Sequence, residues 1–149
     1  VARLVLENNY GQTLAISLAQ KAGLTELGHH ARWVAERAAI AAAYDAGLAG
    51  LPVTRLSWLR DCHHVWHKYV LLTPEPEALA AHLAAQGIAT RRHYARPLHR
   101  EPVFAAFAGA AGYPETERLA AQVLSLPIYA QLTAEEIARV VNAVAGFHA

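Results

Sequence analysis

Three short runs of strand-forming residues, separated by segments with helical character, constrain the fold of this chain most strongly. The first, His63 to Leu72, is rich in β-branched and aromatic residues and carries apolar groups on both faces, so we expect it to be central. Ile88 to Tyr94 and Val123 to Leu126 are predicted as further strands, with a short one around Val53 to Leu56. A helix over Glu75 to Gln86, capped by Thr73, should connect the first two. Strands joined through helices indicate an α+β fold, with a small, mostly antiparallel sheet covered by helices on one face.

The first fifty residues are predicted to be helical. Thr13 to Gly23 has the pattern of a short helix, and a longer connecting helix should start after Thr25 and end at Gly47 or Gly50. Its apolar face is broad enough to pack against more than one neighbour. We therefore divide the chain into a helical N-terminal segment with the connecting helix, residues 1–50, and an α/β small domain, residues 51–149.

Further helices are predicted in the second half of the chain. Two short ones are expected over Glu101 to Ala108 and Pro114 to Ala121. The last helix has the clearest signal, because Thr133 and Glu136 form a capping box. The apolar stripe that follows consists of Ile137, Val140, Val141, Val144 and Phe147.

Composition narrows the classes of function. A net charge of +1 over 149 residues gives no argument for nucleic acid or membrane partners. The single cysteine, Cys62, excludes an internal disulfide and fits a reducing compartment, so we expect a cytoplasmic protein. The chain contains no methionine and begins at Val1, and we expect it to be a piece of something longer.

Four stretches, in order, resemble the small C-terminal domain of the sugar aminotransferases of the DegT/DnrJ/StrS family. Together they cover about ninety residues, and their order and spacing make the resemblance more specific than any one stretch. They are Arg37 to Tyr44 with Leu48 to Leu51, then His64 to His67, then His93-Tyr94 to Pro97-Leu98-His99, and finally Leu124 to Tyr129.

The resemblance implies a type I aminotransferase fold, normally a homodimer with active sites at the subunit interface. It implies transfer of an amino group, usually from glutamate, onto a keto-sugar nucleotide, with pyridoxal phosphate held by a lysine. The two lysines here, Lys21 and Lys68, do not sit in the family's lysine-then-glycine-rich context, which belongs to the large domain. We therefore predict no catalytic residue and no covalently bound cofactor in this chain.

The N-terminal stretch resembles the family in two ways that exclude each other. Asn9-Tyr10 matches an asparagine-tyrosine pair whose asparagine reaches the cofactor phosphate of the neighbouring subunit, although Gly11 stands where an arginine is expected. Asn9 to Gln12 also resembles an earlier asparagine-tyrosine-glycine-glutamine segment, in which case the piece between is missing. On the first alignment Asn9 is a candidate cofactor-binding residue.

A cationic cluster is the candidate substrate site. Arg91 and His93 share a predicted strand face, and arginine gives forked hydrogen bonds that suit diphosphate oxygens. By resemblance the turn that follows borders the sugar-nucleotide pocket of the complete enzyme, so the candidate substrate-binding residues are Arg91, His93, Tyr94, Arg96 and His99. The alternative is a solvated basic edge that binds no ligand.

The histidines of the first strand do not predict a metal site. His63 and His67 would point to the same side of an extended strand and His64 to the other. The first and last of them would be roughly 13 Å apart, too far to share one ion.

Two functions remain open from the sequence. The first is the C-terminal part of a nucleotide-sugar aminotransferase, which needs the missing large domain and is inactive alone. The second is a stand-alone, non-enzymatic remnant or binding module with the same small-domain fold. Under the first, we expect the apolar stripes of the Leu14 to Leu48 helices to require a partner, either the large domain or a second copy in a homo-oligomer.

Overall fold

A computed structural model gives the fold of residues 29–57, 62–107, 109 and 112–149. The chain divides into two compact units, Val1–Ala35 and Glu36–Ala149, and only residues 29–35 of the first are described. The predicted helix Thr13 to Gly23, Asn9 and Lys21 lie outside the described residues. The helices are α1 (His30–Gly47), α2 (Pro76–Ala85), α3 (Pro114–Gln122) and α4 (Ala134–Phe147), and the strands are β1 (Thr54–Arg55), β2 (Tyr69–Leu72) and β3 (Val123–Leu126).

The three strands form one antiparallel sheet in the order β1-β2-β3. The central strand is β2, as predicted, since Thr54 pairs with Leu72 on one side and Tyr69 pairs with Leu126 on the other. Four helices and a small antiparallel sheet confirm the α+β prediction.

The hydrophobic core lies on one face of this sheet. Tyr69, Leu71, Leu124 and Leu126 share that face, because residues paired directly across an antiparallel ladder point the same way. The residues buried with them are Ile40, Ala41 and Tyr44 from α1, Leu48 just after α1, Leu79 and Leu83 from α2, and Val140, Ala143 and Val144 from α4. The C-terminal half of α1 is thus part of this core. The expectation that its apolar stripes need a further partner is wrong for residues 40–48.

Strand β2 begins six residues later than predicted. The segment from His63 to Lys68 is not a strand, because Trp66 has a φ of 49°, in the left-handed region that breaks an extended backbone. The Trp66 backbone N–H donates to Nδ1 of His64 at 3.0 Å, which stabilises this turn. The placement of His63 and His67 on one strand face is therefore wrong.

The predicted strand Ile88 to Tyr94 is reduced to a single bridge between Arg91 and Ser125. In this register the next hydrogen-bonded pairs would be Ala89 with Pro127 and His93 with Val123. Proline has no N–H to donate. The N–H of Val123 donates to the carbonyl of Leu119, and its carbonyl accepts from Nε of Arg92 at 3.2 Å. The ladder therefore ends at the Arg91–Ser125 bridge.

The helix ends follow local sequence with small differences. The capping box of Thr133 and Glu136 is present at the start of α4. Thr73 is not the N-cap of α2, which is Glu75, but its hydroxyl accepts from the Glu75 backbone N–H at 3.4 Å. Gly87, at a φ of 74°, follows the end of α2. The helix predicted over Glu101 to Ala108 is a 3₁₀ helix, Pro102–Phe107.

No helix among the described residues is both long and apolar enough to cross a membrane.

Candidate functional site

Ser125 lies at the centre of the sheet face opposite the main core. Its backbone pairs with Val70 of β2 on one side and with Arg91 on the other. The Arg91–Ser125 bridge is made by two hydrogen bonds, of 3.3 Å from the Arg91 N–H and 2.7 Å from the Ser125 N–H. Because directly paired residues point to the same face, the side chains of Val70, Ser125 and Arg91 share this face.

His93 joins the same face through a hydrogen bond between its Nδ1 and Oγ of the buried Ser125, at 2.9 Å. Burial lowers the pKa of His93 below its usual value near 6.5, and the positive charges of Lys68, Arg91 and His67 lower it further. Arg91 and His93 are thus brought together, as the alternation of the sequence predicted. The hydrogen bond to Ser125 fixes the position of the imidazole ring.

Lys68 belongs to this cluster as well, although it was not predicted as a site residue. It directly precedes β2, two residues before Val70, and is half-buried. The pKa values of His93 and His67 are lowered mainly by burial and, second, by the charge of Lys68. Arg37 lowers the pKa of His67 further. No carboxylate among the described residues forms an ion pair with Lys68 or Arg91. The cluster is therefore positively charged without an internal counter-charge.

Arg96 and His99 are engaged elsewhere. The guanidinium of Arg96 lies 3.3 Å from Glu101 and donates to the carbonyl of Arg100 at 2.8 Å. Nε2 of His99 lies 2.6 Å from Oε1 of Glu117, which also accepts from Nε of Arg100 at 2.6 Å. Hydrogen bonds from His99 and Arg100 lower the pKa of Glu117. These contacts tie the 3₁₀ helix Leu98–Arg100 to α3.

Tyr94 stands next to His93, with the two rings perpendicular and 5.5 Å apart, and its side chain is largely exposed. It begins a stretch of the surface that is unusually apolar. The other exposed apolar side chains of this stretch, from residue 98 to residue 113, are Leu98, Val103, Phe104, Phe107 and Tyr113. We call these five residues and Tyr94 the apolar surface.

A cavity of about 170 Å³ opens beside β1 and β2, and Lys68 is one of its lining residues. On its wall, the hydroxyl of Tyr69 donates to Oδ1 of Asp45 at 2.8 Å, and Arg55 pairs with the same oxygen at 3.4 Å. Trp66, also in the wall, stacks on Tyr69 at 5.7 Å. The cavity and the cationic cluster therefore meet at Lys68.

The described residues do not fit a covalent site for pyridoxal phosphate. Such a site needs a lysine for the aldehyde and an acidic group for the pyridine nitrogen. The lysine of the described residues is Lys68. The carboxylate in the same cavity, Asp45, is already bound by Tyr69 and Arg55.

Two residues of this cluster were not predicted from the sequence, Lys68 and Ser125. A strand pattern can place Lys68 on the side of Val70, but it cannot give the register between β2 and β3. Only that register places Val70, two residues after Lys68, and Arg91 on either side of Ser125.

The histidines do not assemble with other ligands. Among the described residues, no group of three or more His, Cys, Asp or Glu side chains is arranged to hold a metal ion.

Comparisons with known proteins agree with this fold. The sequence pattern of the DegT/DnrJ/EryC1/StrS aminotransferase family matches residues 12–145. A dTDP-3-amino-3,4,6-trideoxy-alpha-D-glucose transaminase from Streptomyces venezuelae is 42% identical over 120 residues, which are 79% of this chain and 32% of that protein. A pleiotropic regulatory protein from Geobacillus stearothermophilus is 37% identical over 125 residues, 80% of this chain and 33% of that protein.

Solved structures give the same result. The crystal structure of DesV from S. venezuelae superimposes with a TM-score of 0.78 at 40% identity, covering 82% of this chain and 33% of DesV. A DegT DnrJ EryC1 StrS aminotransferase from Brucella abortus superimposes with a TM-score of 0.74 at 25% identity, over 90% of this chain and 34% of that one. The chain thus spans about a third of the length of the relatives it matches. With its sequence pattern matched from residue 12 to residue 145, the chain belongs to the DegT/DnrJ/EryC1/StrS aminotransferase family.

Proposed function

We propose that this chain is the C-terminal part of a nucleotide-sugar aminotransferase and acts only together with a lysine-bearing large domain. The reaction of the complete enzyme would transfer an amino group onto a keto-sugar nucleotide, with pyridoxal phosphate bound by the large domain. The observation that carries this proposal is the likeness to DesV, at 40% identity and a TM-score of 0.78. No specific observation favours the alternative of a stand-alone binding module.

The role of this chain in that reaction is to bind and orient the substrate. Arg91 and His93 present cationic and hydrogen-bonding groups on one face, with the ring of His93 fixed by Ser125. Tyr94 offers an exposed aromatic ring beside them. Direct substrate contact by Arg96, which forms an ion pair with Glu101, and by His99, which is hydrogen-bonded to Glu117, stays a prediction. So does contact of Asn9 with the cofactor phosphate of a neighbouring subunit.

We also propose that the complete enzyme is a homo-oligomer, with the large domain or the second copy covering the apolar surface. Three of its side chains, Leu98, Val103 and Phe107, are each more than 70% exposed. Apolar surface of this extent is uncommon on a monomer and marks an interaction site. The boundary of the small domain at residue 50 and a cytoplasmic location remain predictions.

A chimeric enzyme tests the proposal. The aligned third of the S. venezuelae transaminase is replaced by this chain, and transamination of that enzyme's own substrate is measured. The chimera should retain activity, because the fold and the family pattern are shared. A chimera that unfolds with the same cooperative transition as its parent but transfers no amino group would contradict the proposed function.

The same chimera tests the substrate role of Arg91. Arg91→Gln should raise KM for the sugar nucleotide, whereas the matched charge change Arg118→Gln should leave KM unchanged. Arg118 is exposed and paired with Glu115 on α3, outside the cationic cluster. Equal effects of the two substitutions would show that only net charge matters.

A further inference from the structure

We propose that Lys68 is a substrate-positioning residue that binds a diphosphate group together with Arg91 and His93, across the buried Ser125. This inference rests on the proposed function and deepens it, because it names the part of the sugar nucleotide that this chain holds. The register of the sheet and the charges beside Ser125 support this role of Lys68.

The register sets the distance between the two permanent cations. Lys68 directly precedes β2, in which Val70 pairs with Ser125 of β3. On its other side, Ser125 pairs with Arg91. Adjacent strands lie roughly 4.8 Å apart. The backbones of Val70 and Arg91 are therefore separated by roughly 10 Å, with Ser125 between them, and Lys68 lies roughly 7 Å further along its chain from Val70.

This spacing suits two linked phosphoryl groups. Long, flexible cationic side chains on either side of a gap can each take the oxygens of one phosphoryl group, and arginine can do so with two parallel hydrogen bonds. Without a ligand, the charges of Lys68 and Arg91 face no described carboxylate across the gap. A bound dianion would supply the missing counter-charge.

His93 lies in the middle of the gap and is held there by Ser125. When the Ser125 hydroxyl donates to Nδ1, the proton of the neutral ring is on Nε2, which can then donate to the bridging region of the anion. Ser125 is 5% exposed, so its hydroxyl is shielded from competition by water. The site thus combines two permanent cations with one oriented neutral donor.

The experiment is a calorimetric titration of the 149-residue chain with inorganic pyrophosphate at pH 7.5 and low salt, repeated with inorganic phosphate. Pyrophosphate should bind at least about five-fold more tightly than phosphate, because only the former reaches both cations. Lys68→Gln should weaken pyrophosphate binding about ten-fold or more, the usual effect of losing one charged hydrogen bond. Lys68→Arg should restore most of it.

Arg118→Gln is the control, since it removes one positive charge on α3 away from the cluster. Equal weakening by Lys68→Gln and Arg118→Gln, or equal affinity for phosphate and pyrophosphate, would overturn the inference. Chemical denaturation of each variant shows that the fold is intact. The titration needs no transamination, so a failed chimera and a failed pyrophosphate site are separate results.

Discussion

The hydroxyl of Tyr44, near the end of α1, donates to the carbonyl oxygen of Pro127, just after β3, at 2.8 Å. These residues belong to two of the four stretches that resemble the family, and they are 83 positions apart in the chain. Tyr44 is fully buried, and its ring also contacts that of Tyr69 at 4.9 Å. The bond therefore fixes the connecting helix to the end of the sheet.

Removing this hydroxyl should destabilise the fold. Tyr44→Phe leaves the Pro127 carbonyl without its partner while keeping the ring, so we expect a loss of about 1 kcal/mol in the free energy of unfolding. Urea denaturation followed by circular dichroism measures the change. Tyr94→Phe is the control, because the Tyr94 side chain is 68% exposed and loss of its hydroxyl should not change the free energy of unfolding. Equal stability of Tyr44→Phe and wild type would show that the bond contributes nothing net.

The contact between the end of α1 and α4 gives a second prediction. A Cβ atom on Gly47 would lie 2.7 Å from Cγ1 of Val141, closer than carbon atoms can approach. Val141 is β-branched and cannot easily rotate away within its helix. Gly47→Ala should therefore lower the free energy of unfolding by about 1–3 kcal/mol, as overpacking does.

Gly146 provides the matched control for Gly47. It lies within α4, and a Cβ there would meet nothing within 4 Å. Gly146→Ala should stabilise the fold by about 0.5–1 kcal/mol, the ordinary helix preference for alanine. If both substitutions stabilise, the close approach of Gly47 and Val141 is not a constraint on this packing.

The parts of the fold with strong local signals could be predicted from the sequence. The predicted bounds of β3 agree with the structure because a proline ends this strand. The predicted capping box of α4 also agrees, because paired side chains start this helix. The late start of β2 could not be predicted, since nothing in a β-rich run indicates a left-handed Trp66. The failure of Ile88 to Tyr94 to pair could be explained only after the register placed Pro127 opposite Ala89.

Some residues of the candidate site could be predicted from the sequence and others could not. Arg91 and His93 could be placed together because they are only two residues apart, although the strand predicted to carry them is a single bridge at Arg91. Lys68 joins them only through the pairing of β2 with β3. The hydrogen bond of His99 with Glu117 joins residues 18 positions apart and depends on the packing of α3. Sequence spacing carries no information on either contact.

The apolar surface gives a prediction about assembly. The double substitution Val103→Asp and Phe107→Asp places two charges on side chains that are 73% and 78% exposed, so the fold should survive while association is lost. Sedimentation velocity of the wild-type chain should show a species larger than the monomer, and the variant should sediment as a monomer. Leu56→Asp, on a residue that is 47% exposed and lies just after β1, should sediment like wild type. A wild-type chain that is monomeric at all concentrations would contradict self-association through this surface.

The final prediction concerns pH. The pKa values of His67 and His93 are both lowered in the folded state, mainly by burial and then by the charge of Lys68. Arg37 lowers the pKa of His67 further. Arg91 and His67 lower the pKa of His93 further. The unfolded chain therefore binds more protons than the folded chain just below pH 6.5, the usual histidine pKa. Stability should be complete above that pH and should fall as the pH is lowered through the range between the two pKa values.

Denaturation curves between pH 5 and 7.5 measure this slope. His93→Gln should flatten it, because glutamine keeps a polar side chain that does not titrate, whereas His63→Gln, at an exposed position, should not. The hydrogen bonds that lower the pKa of Glu117 act below its usual value of 4.5 and so leave this range unaffected. Saturating pyrophosphate should favour protonated His93, raise its folded-state pKa towards the usual value and so reduce the acid-side loss of stability. An unchanged slope in His93→Gln would mean that the cations around this ring do not influence its titration.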